Sequence, residues 1–332
     1  MASDLTCYRV FGLTLASDYP FVTRLLPAGE PTPGEKVIRF SSSTEPPREI
    51  ELGGLGHEHQ QPLYRSPDRT AEGDTVFSLY RSRDQLLLSF TGLPRFYLGP
   101  DWIHCQTTAP EQIPQIEILL FGPVLSFWLE REGLAALHAA AVVVEGRAIG
   151  IMGQNGVGKS SLTTELLRAG AALLDDDVLP LEEAGGVFLA RSGYPQMRMW
   201  PDLAVRVFGH TEGLPQILPG VDKRRVAVDG VWRFCAEPMP LAVLYQLERA
   251  DVGEGSSVGP ASIRDALIEL VRHSFVPRLV SALGLEPARL DLLARLAQAV
   301  PVRRLRIAQG VEHLPVAARA VLADFTCVAS GA

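Results

Sequence analysis

Hydrophobic and polar positions divide the chain into two parts with different periodicities. Up to residue 112, short β-prone runs alternate with stretches rich in turn-forming residues, a pattern typical of β-strands. These runs cover residues 8–15, 36–40, 49–52, 75–80, 85–91 and 102–107. The stretch 26–56 is dense in Pro, Gly, Ser and Glu, which predicts long exposed loops. The sequence therefore predicts a β-rich N-terminal domain over residues 1–112.

From residue 113 onward the pattern predicts mixed helices and strands. Apolar residues from Ile116 to Leu129 recur at helical spacing and predict a helix that ends before Gly133. Further helices are predicted at 161–169, 262–271, 275–283, 287–299 and from Pro315, with a loop at 252–259. Strands are predicted at 138–144 and 148–152, joined by a hairpin turn, and at 171–174, 240–247 and, as an edge strand, 302–307. We therefore expect an α/β domain over residues 113–332.

The overall charge and the apolar stretches exclude several classes of partner. A formal charge of -7 in 332 residues lacks the basic footprint of a nucleic-acid-binding protein. No basic stretch precedes an apolar segment near the N-terminus, and the apolar stretches 116–129 and 134–144 are shorter than a membrane span. The four cysteines form no C-x-x-C motif, so neither a zinc site nor a disulfide framework is expected. These features predict a cytoplasmic protein with reduced thiols and no membrane or nucleic-acid partner.

Residues 153–160, with the sequence GQNGVGKS, fit the phosphate-binding loop pattern G-x-x-x-x-G-K-[ST]. The motif lies between an apolar strand-like run and a helix-prone stretch, which is the context that such a loop requires. It predicts ATP binding, with Lys159 at the terminal phosphates and the Ser160 hydroxyl as a Mg²⁺ ligand. The alternative is a glycine-rich turn that binds nothing. The predicted nucleotide-binding residues are Gly153, Asn155, Gly156, Val157, Gly158, Lys159, Ser160 and Ser161.

Three consecutive carboxylates, Asp175, Asp176 and Asp177, end the predicted strand that follows this loop. An acidic residue at this place is where a metal-organising carboxylate is expected. Three adjacent carboxylates repel one another, which favours a bound cation. Asp residues also begin ordinary turns, and that interpretation stays open.

At these residues the sequence resembles the kinase domain of the HPr kinase/phosphorylase family, whose fold is similar to phosphoenolpyruvate carboxykinase. The resemblance rests on Leu137-His138, the loop 153–161 and residues 173–177, and extends more loosely through 194–202. It implies that Asp176 is the general base and that Asp177 holds Mg²⁺ together with Ser160. It also aligns His138 with the histidine that precedes the family's loop. Without the resemblance, a lone histidine on an apolar strand is more often a core residue than a functional one.

The sequence departs from the family in two respects. Residues 190–195 contain no Glu, whereas the family carries an acidic, glycine-rich signature after the paired acids. This departure predicts a kinase without efficient reverse activity. The N-terminal domain carries no motif that resembles the HPr-sensing region. Residues 194–202 resemble the stand-alone HPr-kinase-like branch, some of whose members are tailoring kinases for lasso-type peptide precursors.

Two basic groups are candidates for holding phosphate. Arg198 lies in a short apolar run and therefore needs a partner, either a phosphate or an acid such as Asp202. The cluster Lys223-Arg224-Arg225 either forms a solvated surface or meets the γ-phosphate or an acidic peptide.

Together these features predict an ATP-dependent kinase that phosphorylates a Ser hydroxyl of a peptide or small protein, with Asp176, His138, Lys159 and Arg198 as its catalytic residues. The alternatives are a small-molecule hydroxyl kinase or carboxykinase-like enzyme, and a non-catalytic nucleotide-dependent switch. The β-rich domain either binds an extended peptide by strand addition, covers the kinase core, or mediates assembly into a homo-oligomer.

Overall fold

The computed structural model describes residues 5–32, 35–47, 61–228 and 230–330. It divides the chain into two compact units. The first comprises Met1–Leu125 with Ser281–Leu283, and the second comprises Ser126–Val280 with Gly284–Ala332. The strand predicted at 49–52 lies outside the described residues.

The described part of the first unit forms a mixed sheet of nine strands in the order β3-β1-β2-β4-β9-β8-β7-β6-β5. The strands are β1 (Thr6–Val10), β2 (Leu13–Ser17), β3 (Leu26–Pro27), β4 (Val37–Ser43), β5 (Tyr64–Arg65), β6 (Phe77–Ser82), β7 (Gln85–Phe90), β8 (Arg95–Leu98) and β9 (Trp102–Gln106). Strand β4 pairs in parallel with β2 and β9, and the other pairs are antiparallel.

The prediction of one strand at 8–15 is wrong. This range contains the turn of a hairpin whose strands are β1 and β2. Phe11 and Gly12 make the turn with φ of 54° and 70°. Two successive positive φ angles are what a tight two-residue hairpin requires.

The helix predicted from Ile116 to Leu129 is present but broken. It consists of α1 (Gln115–Leu119), a π-helical turn (Leu120–Val124) and α2 (Leu125–Arg131). Pro123 cannot donate a backbone hydrogen bond, and Gly122 is non-helical. The Glu117 carboxylate accepts N–H groups of Val22 and Thr23 at 2.6 and 2.7 Å, so α1 belongs to the first unit. The division therefore lies after Leu125, later than the predicted boundary at 112.

The described part of the second unit contains a nine-stranded and a three-stranded sheet. The strands are β10 (Ala135–Val144), β11 (Arg147–Met152), β12 (Ala172–Asp175), β13 (Val178–Ala184), β14 (Val187–Ala190), β15 (Gln196–Met199), β16 (Gln216–Leu218), β17 (Val221–Ala227), β18 (Arg233–Phe234), β19 (Met239–Arg249), β20 (Ser257–Pro260) and β21 (Val302–Ile307). The helices after α2 are α3 (Lys159–Arg168), α4 (Pro201–Phe208), α5 (Ile263–Arg272), α6 (Pro277–Ala282), α7 (Glu286–Ala299) and α8 (Leu314–Ser330). The predicted hairpin turn between β10 and β11 is confirmed, with Glu145 and Gly146 at φ of 50° and 74°.

The large sheet runs β18-β12-β10-β13-β14-β19-β21-β20, and β11 pairs with both β10 and β19. Strands β11, β19 and β21 are parallel neighbours, so their carboxyl ends lie at one edge. Ligands of open α/β sheets commonly bind at this edge. The small sheet, β15-β17-β16, carries Arg198 and the predicted basic cluster.

Hydrophobic side chains cover both faces of the large sheet. On one face, Ile149 and Ile151 of β11 belong to a buried cluster with Leu162 of α3 and Phe325 of α8. On the other face, Ala148 and Met152 belong to a cluster with residues of α5 and α7. Alternate residues of β11 therefore enter opposite cores, as expected of a strand covered on both sides.

Strand β21 is not an edge strand as predicted. It pairs with β19 on one side and with β20 on the other. The misassignment arose because residues 257–260, which form β20, read as part of a Gly- and Ser-rich loop. All four cysteines lie in described segments and are free thiols. None of the described helices combines the length and apolar character needed to cross a membrane.

Candidate functional site

The loop between β11 and α3 is built on glycines with positive φ. Gly153, Gly156 and Gly158 have φ of 154°, 79° and 114°, conformations that L side chains rarely adopt. A Cβ on Gly153 would lie 3.0 Å from the Leu247 carbonyl oxygen, so the close approach to β19 also requires glycine. Gly158 caps α3 without a side-chain hydrogen bond from any described residue. The first N–H groups of α3 therefore remain available to an anion.

The Lys159 side chain is buried and folds back over this loop. Its Nζ donates to the Gly153 carbonyl at 2.8 Å and lies 3.2 Å from His138 Nε2. Burial lowers the pKa of Lys159, and the charges of Asp177 and Asp176 oppose that effect. The ammonium group is thus poorly solvated, a condition that a bound phosphate would relieve.

His138 connects the loop to the acidic turn. Its Nδ1 lies 3.2 Å from the Asp177 carbonyl oxygen and 3.3 Å from Asp177 Oδ1. Because both neighbours are acceptors, we assign the proton to Nδ1, which leaves Nε2 to accept from Lys159. The Asn155 amide lies 3.0 Å from the same Nε2, and with this tautomer it is the NH₂ group of the amide, not its oxygen, that must face the ring nitrogen. The His138 ring is about a quarter exposed and lines a cavity, so it is not a plain core residue.

Asp175 forms the turn that presents its two neighbours. The residue is 3% exposed, and its Oδ1 accepts the N–H groups of Asp177 and Val178, both at 2.8 Å. Burial raises the pKa of Asp175 well above its ordinary value. Asp175 does not line the cavity at the loop.

Asp176 lines the cavity, and one of its oxygens is unpaired. Its Oδ2 accepts the backbone N–H of Arg198 at 2.8 Å. Its Oδ1 is fully buried and has no hydrogen-bond partner among the described residues. Burial raises the pKa of Asp176 to about 6, and the Asp177 charge acts in the same direction. The carboxylate is therefore more basic than an ordinary Asp and has a lone pair to offer.

Arg198 is paired with Asp177, 21 residues away, rather than with Asp202 as the sequence suggested. Its Nη1 lies 2.9 Å from Asp177 Oδ2, and its Nη2 lies 3.4 Å from the Tyr194 hydroxyl. Burial opposes the Arg198 charge, but Tyr194 and Asp177 raise its pKa above the ordinary value. Arg198 is a permanent cation held beside Asp177.

These side chains surround one cavity of about 230 Å³. Of the predicted site residues it is lined by His138, Asn155, Gly156, Gly158, Lys159, Ser160, Ser161, Asp176, Asp177 and Arg198. Gly153 and Val157 are not in its lining: Val157 packs against the core, and Gly153 binds Lys159 through its carbonyl. Sequence reasoning missed Trp200, Leu203, Arg249 and Val311, which also line it. Arg249 could have been found as a basic residue at the end of the core strand β19.

The residues of the basic cluster at 223–225 make different contacts. Lys223 lines the cavity, and its Nζ lies 5.8 Å from the Trp200 ring centroid. The ion pairs within the described residues do not include Lys223. In contrast, Arg225 donates to the Ile217 carbonyl at 3.0 Å and supports the β16-β17 hairpin. Only the first residue of the cluster faces the loop.

The cavity contains a donor set that fits Mg²⁺ bound together with a polyphosphate. Ser160 and Asp177 both line it and offer a hydroxyl oxygen and a carboxylate oxygen. Within the described ranges no three His, Cys, Asp or Glu side chains form a metal cluster. Mg²⁺ is commonly held by one or two carboxylates plus substrate phosphates, so a complete protein cage is not required.

No protein-family model matches the chain, and no curated protein matches it. Among solved structures, it is similar to the HPr(Ser) kinase/phosphatase from Coxiella burnetii, with 14% sequence identity and a TM-score of 0.30. The match covers 57% of this chain and 95% of that chain.

Proposed function

We propose that this protein is an ATP-dependent kinase that transfers the γ-phosphoryl group to a hydroxyl. The observation that carries the proposal is a single cavity in which Lys159 and Ser160 meet Asp176, Asp177 and Arg198. Phosphoryl transfer needs little more than positioned cations, a metal-binding carboxylate and an acceptor-orienting base, and these residue types are all present.

In the proposed reaction, the acceptor hydroxyl oxygen attacks the γ-phosphorus and forms a new P–O bond. The bond between the γ-phosphorus and the bridging oxygen breaks, and ADP leaves with that electron pair. Asp176 takes the hydroxyl proton. With a pKa of about 6 it is mostly ionised at neutral pH and remains able to accept a proton. Its unpaired Oδ1 is the atom assigned to this role.

Three cations are assigned to the negative charge of the transferring group. Lys159 is poised in the loop, Arg198 is held beside Asp177, and Lys223 rests on the Trp200 ring. Mg²⁺ held by Ser160 and Asp177 would neutralise charge on the phosphate oxygens. His138 orients the Lys159 ammonium through its Nε2 atom and Asp177 through its Nδ1 atom.

We further propose a Ser hydroxyl of a peptide or small protein, such as a lasso-type precursor, as the acceptor. This step rests on the looser resemblance of residues 194–202 to the stand-alone HPr-kinase-like branch. The β-rich first unit is proposed to recognise the peptide, because its strand edges can accept an extended chain by strand addition.

The test incubates the full chain with γ-labelled ATP and Mg²⁺, and either a pool of Ser-containing peptides or a pool of hydroxylated metabolites. Label on peptides supports the proposal. Label on metabolites alone contradicts the peptide acceptor and indicates a kinase that acts on a small molecule. ATP binding without label transfer to either pool contradicts the kinase and leaves a nucleotide-dependent switch. The Lys159→Ala variant is the control that assigns any transfer to this site.

A further inference from the structure

A second cavity shares part of its lining with the cavity at the loop. A space of about 290 Å³ is lined by Arg249, Gln309, Gly310 and Val311. Arg249 and Val311 also line the first cavity. The two cavities are therefore neighbours, and a ligand whose phosphates lie on the loop has the second cavity next to it.

The second cavity lies at the carboxyl ends of the parallel strands, where the remainder of a ligand bound at the loop is expected. Strand β11 leads into the loop, β19 ends at Arg249, and β21 ends at Ile307, immediately before the lining residues. Ligands of open α/β sheets lie across the carboxyl ends of adjacent strands. A ligand bound first at β11 would cross β19 and reach the segment after β21.

The two cavities differ in charge. The first is lined by several ionised side chains of both signs, whereas the second has one charged residue, Arg249 at the junction, beside Gln309, Gly310 and Val311. Val311 is 57% exposed and provides apolar surface, while an amide can both donate and accept hydrogen bonds. This chemistry suits an uncharged group with an apolar face and a polar edge.

The wall of the second cavity is held in place from outside. Arg206 of α4 donates to the Val311 carbonyl at 2.7 Å, and its other terminal nitrogen binds Glu165 of α3 at 3.2 Å. The Ala308 N–H donates to the Ser256 hydroxyl at 3.1 Å. At the junction, the Arg249 guanidinium lies 3.1 Å from where a Cβ on Gly158 would be, so Arg249 contacts the start of α3.

We infer that the second cavity is a nucleoside subsite. Val311 packs on the base, Gln309 binds a polar edge of the base or ribose, and Arg249 binds at the junction between the ribose and the first phosphate. The inference rests on the proposed function only in placing a polyphosphate on the loop. It implies that contacts with the nucleoside, and not only contacts with the phosphates, contribute to the affinity for ATP.

The test measures Mg²⁺-dependent binding of ATP and of inorganic tripolyphosphate by calorimetry. The double variant Gln309→Ala/Val311→Ala changes two exposed residues. We expect it to weaken ATP binding by about tenfold, the effect of one lost hydrogen bond with its apolar contact, and to leave tripolyphosphate unchanged. Arg249→Ala should weaken ATP binding more than tripolyphosphate binding. Arg306→Ala is the matched control, since Arg306 pairs with Glu248 and lines neither cavity.

Equal losses for both ligands in the double variant would overturn the subsite, as would unchanged ATP binding. Equal affinity of the unmodified protein for ATP and tripolyphosphate would overturn it as well. If ATP binds with the expected discrimination but no acceptor is phosphorylated, the subsite stands and the kinase proposal fails.

Discussion

The carboxylate of Asp175 lies directly against the backbone of Gly193. A Cβ at position 193 would overlap Asp175 Oδ2, and the Gly193 N–H donates to the Leu174 carbonyl at 3.0 Å. Because Asp175 Oδ1 also binds the N–H groups of Asp177 and Val178, this contact fixes the turn that carries the two site carboxylates. Gly193 lies in the segment where the acidic signature is missing, and the structure gives it a packing role.

Gly193→Ala is therefore expected to displace Asp175 and the turn. We predict a loss of about 1–3 kcal/mol in the free energy of unfolding, the usual effect of overpacking. Phosphoryl transfer should fall with it. Gly259→Ala is the matched control, since no atom lies within 4 Å of a Cβ built there. Urea unfolding and a transfer assay measure both effects, and equal behaviour of the two variants would contradict the packing role.

Lys159→Ala is expected to slow ATP turnover by about two to three orders of magnitude, because it removes a preorganised cation of the phosphate site. Burial disfavours the charged ammonium, so its removal should not unfold the protein. Turnover is measured with and without Mg²⁺, and circular dichroism checks the fold. Wild-type turnover in this variant would exclude the loop as the phosphate site.

The three adjacent acids should respond differently to replacement by Asn. Asp176→Asn is expected to abolish transfer while Mg-ATP still binds, because an amide cannot accept the hydroxyl proton. Asp177→Asn should also weaken the dependence on Mg²⁺. Asp175→Asn should be mild, since its carbonyl oxygen can still accept the two N–H groups. A larger loss for Asp175→Asn than for Asp176→Asn would mean that the roles carried over from the family are out of register.

Lys223→Gln is expected to lower kcat/KM for ATP by about tenfold or more, because Lys223 is a cation in the lining of the cavity and its charge also acts on Asp176. Lys223→Arg should restore part of the loss. The control is Arg225→Gln, two residues along the same strand, which binds the Ile217 carbonyl and does not line the cavity. If Arg225→Gln lowers kcat/KM as much as Lys223→Gln, the effect belongs to the hairpin and not to the cavity.

The elements that depend on residues close together in the chain could be predicted from the sequence. The hairpin at Glu145-Gly146, the loop at 153–158 and helix α3 follow one another along the chain, and their glycines and apolar periodicity are visible without the fold. Helices α5 and α7 were placed within a residue or two for the same reason.

Long-range pairing decided the rest. Asp202 was the expected partner of Arg198 because it is close in sequence. In the fold, the Asp176 carboxylate accepts the Arg198 backbone N–H, and the Arg198 guanidinium pairs with Asp177. Arg249 and Val311 reach the loop only because β11, β19 and β21 are parallel neighbours. Strand β20 has little apolar character of its own and is formed by pairing with β21.

The buried pair of Glu130 and Arg289 gives a prediction about pH. Arg289 Nε lies 2.9 Å from Glu130 Oε2, but its N–H is not aligned as a hydrogen bond. Burial raises the pKa of Glu130 to about 7, although the Arg289 charge and the Ala136 N–H oppose the shift. The folded protein thus retains a proton that the unfolded chain releases between its ordinary pKa of 4.5 and about 7. The Glu130 contribution to stability is present below pH 4.5 and is lost as the pH rises through 7.

Arg289→Met removes the cation that opposes this shift, so the pKa of Glu130 should rise further. We expect a destabilisation of about 3–5 kcal/mol at pH 8, the usual cost of an uncompensated buried charge, and a smaller one at pH 6. Urea unfolding of the full chain at both pH values measures it. Since His273, whose pKa burial lowers to about 4, produces the opposite trend over part of this range, each variant is compared with the unmodified protein at the same pH. The double variant Glu130→Gln/Arg289→Met should lose the part of the pH dependence that Glu130 contributes, whereas the parts from Asp175, Asp176 and His273 remain. A pH dependence equal to that of the unmodified protein would assign it to those groups and not to Glu130.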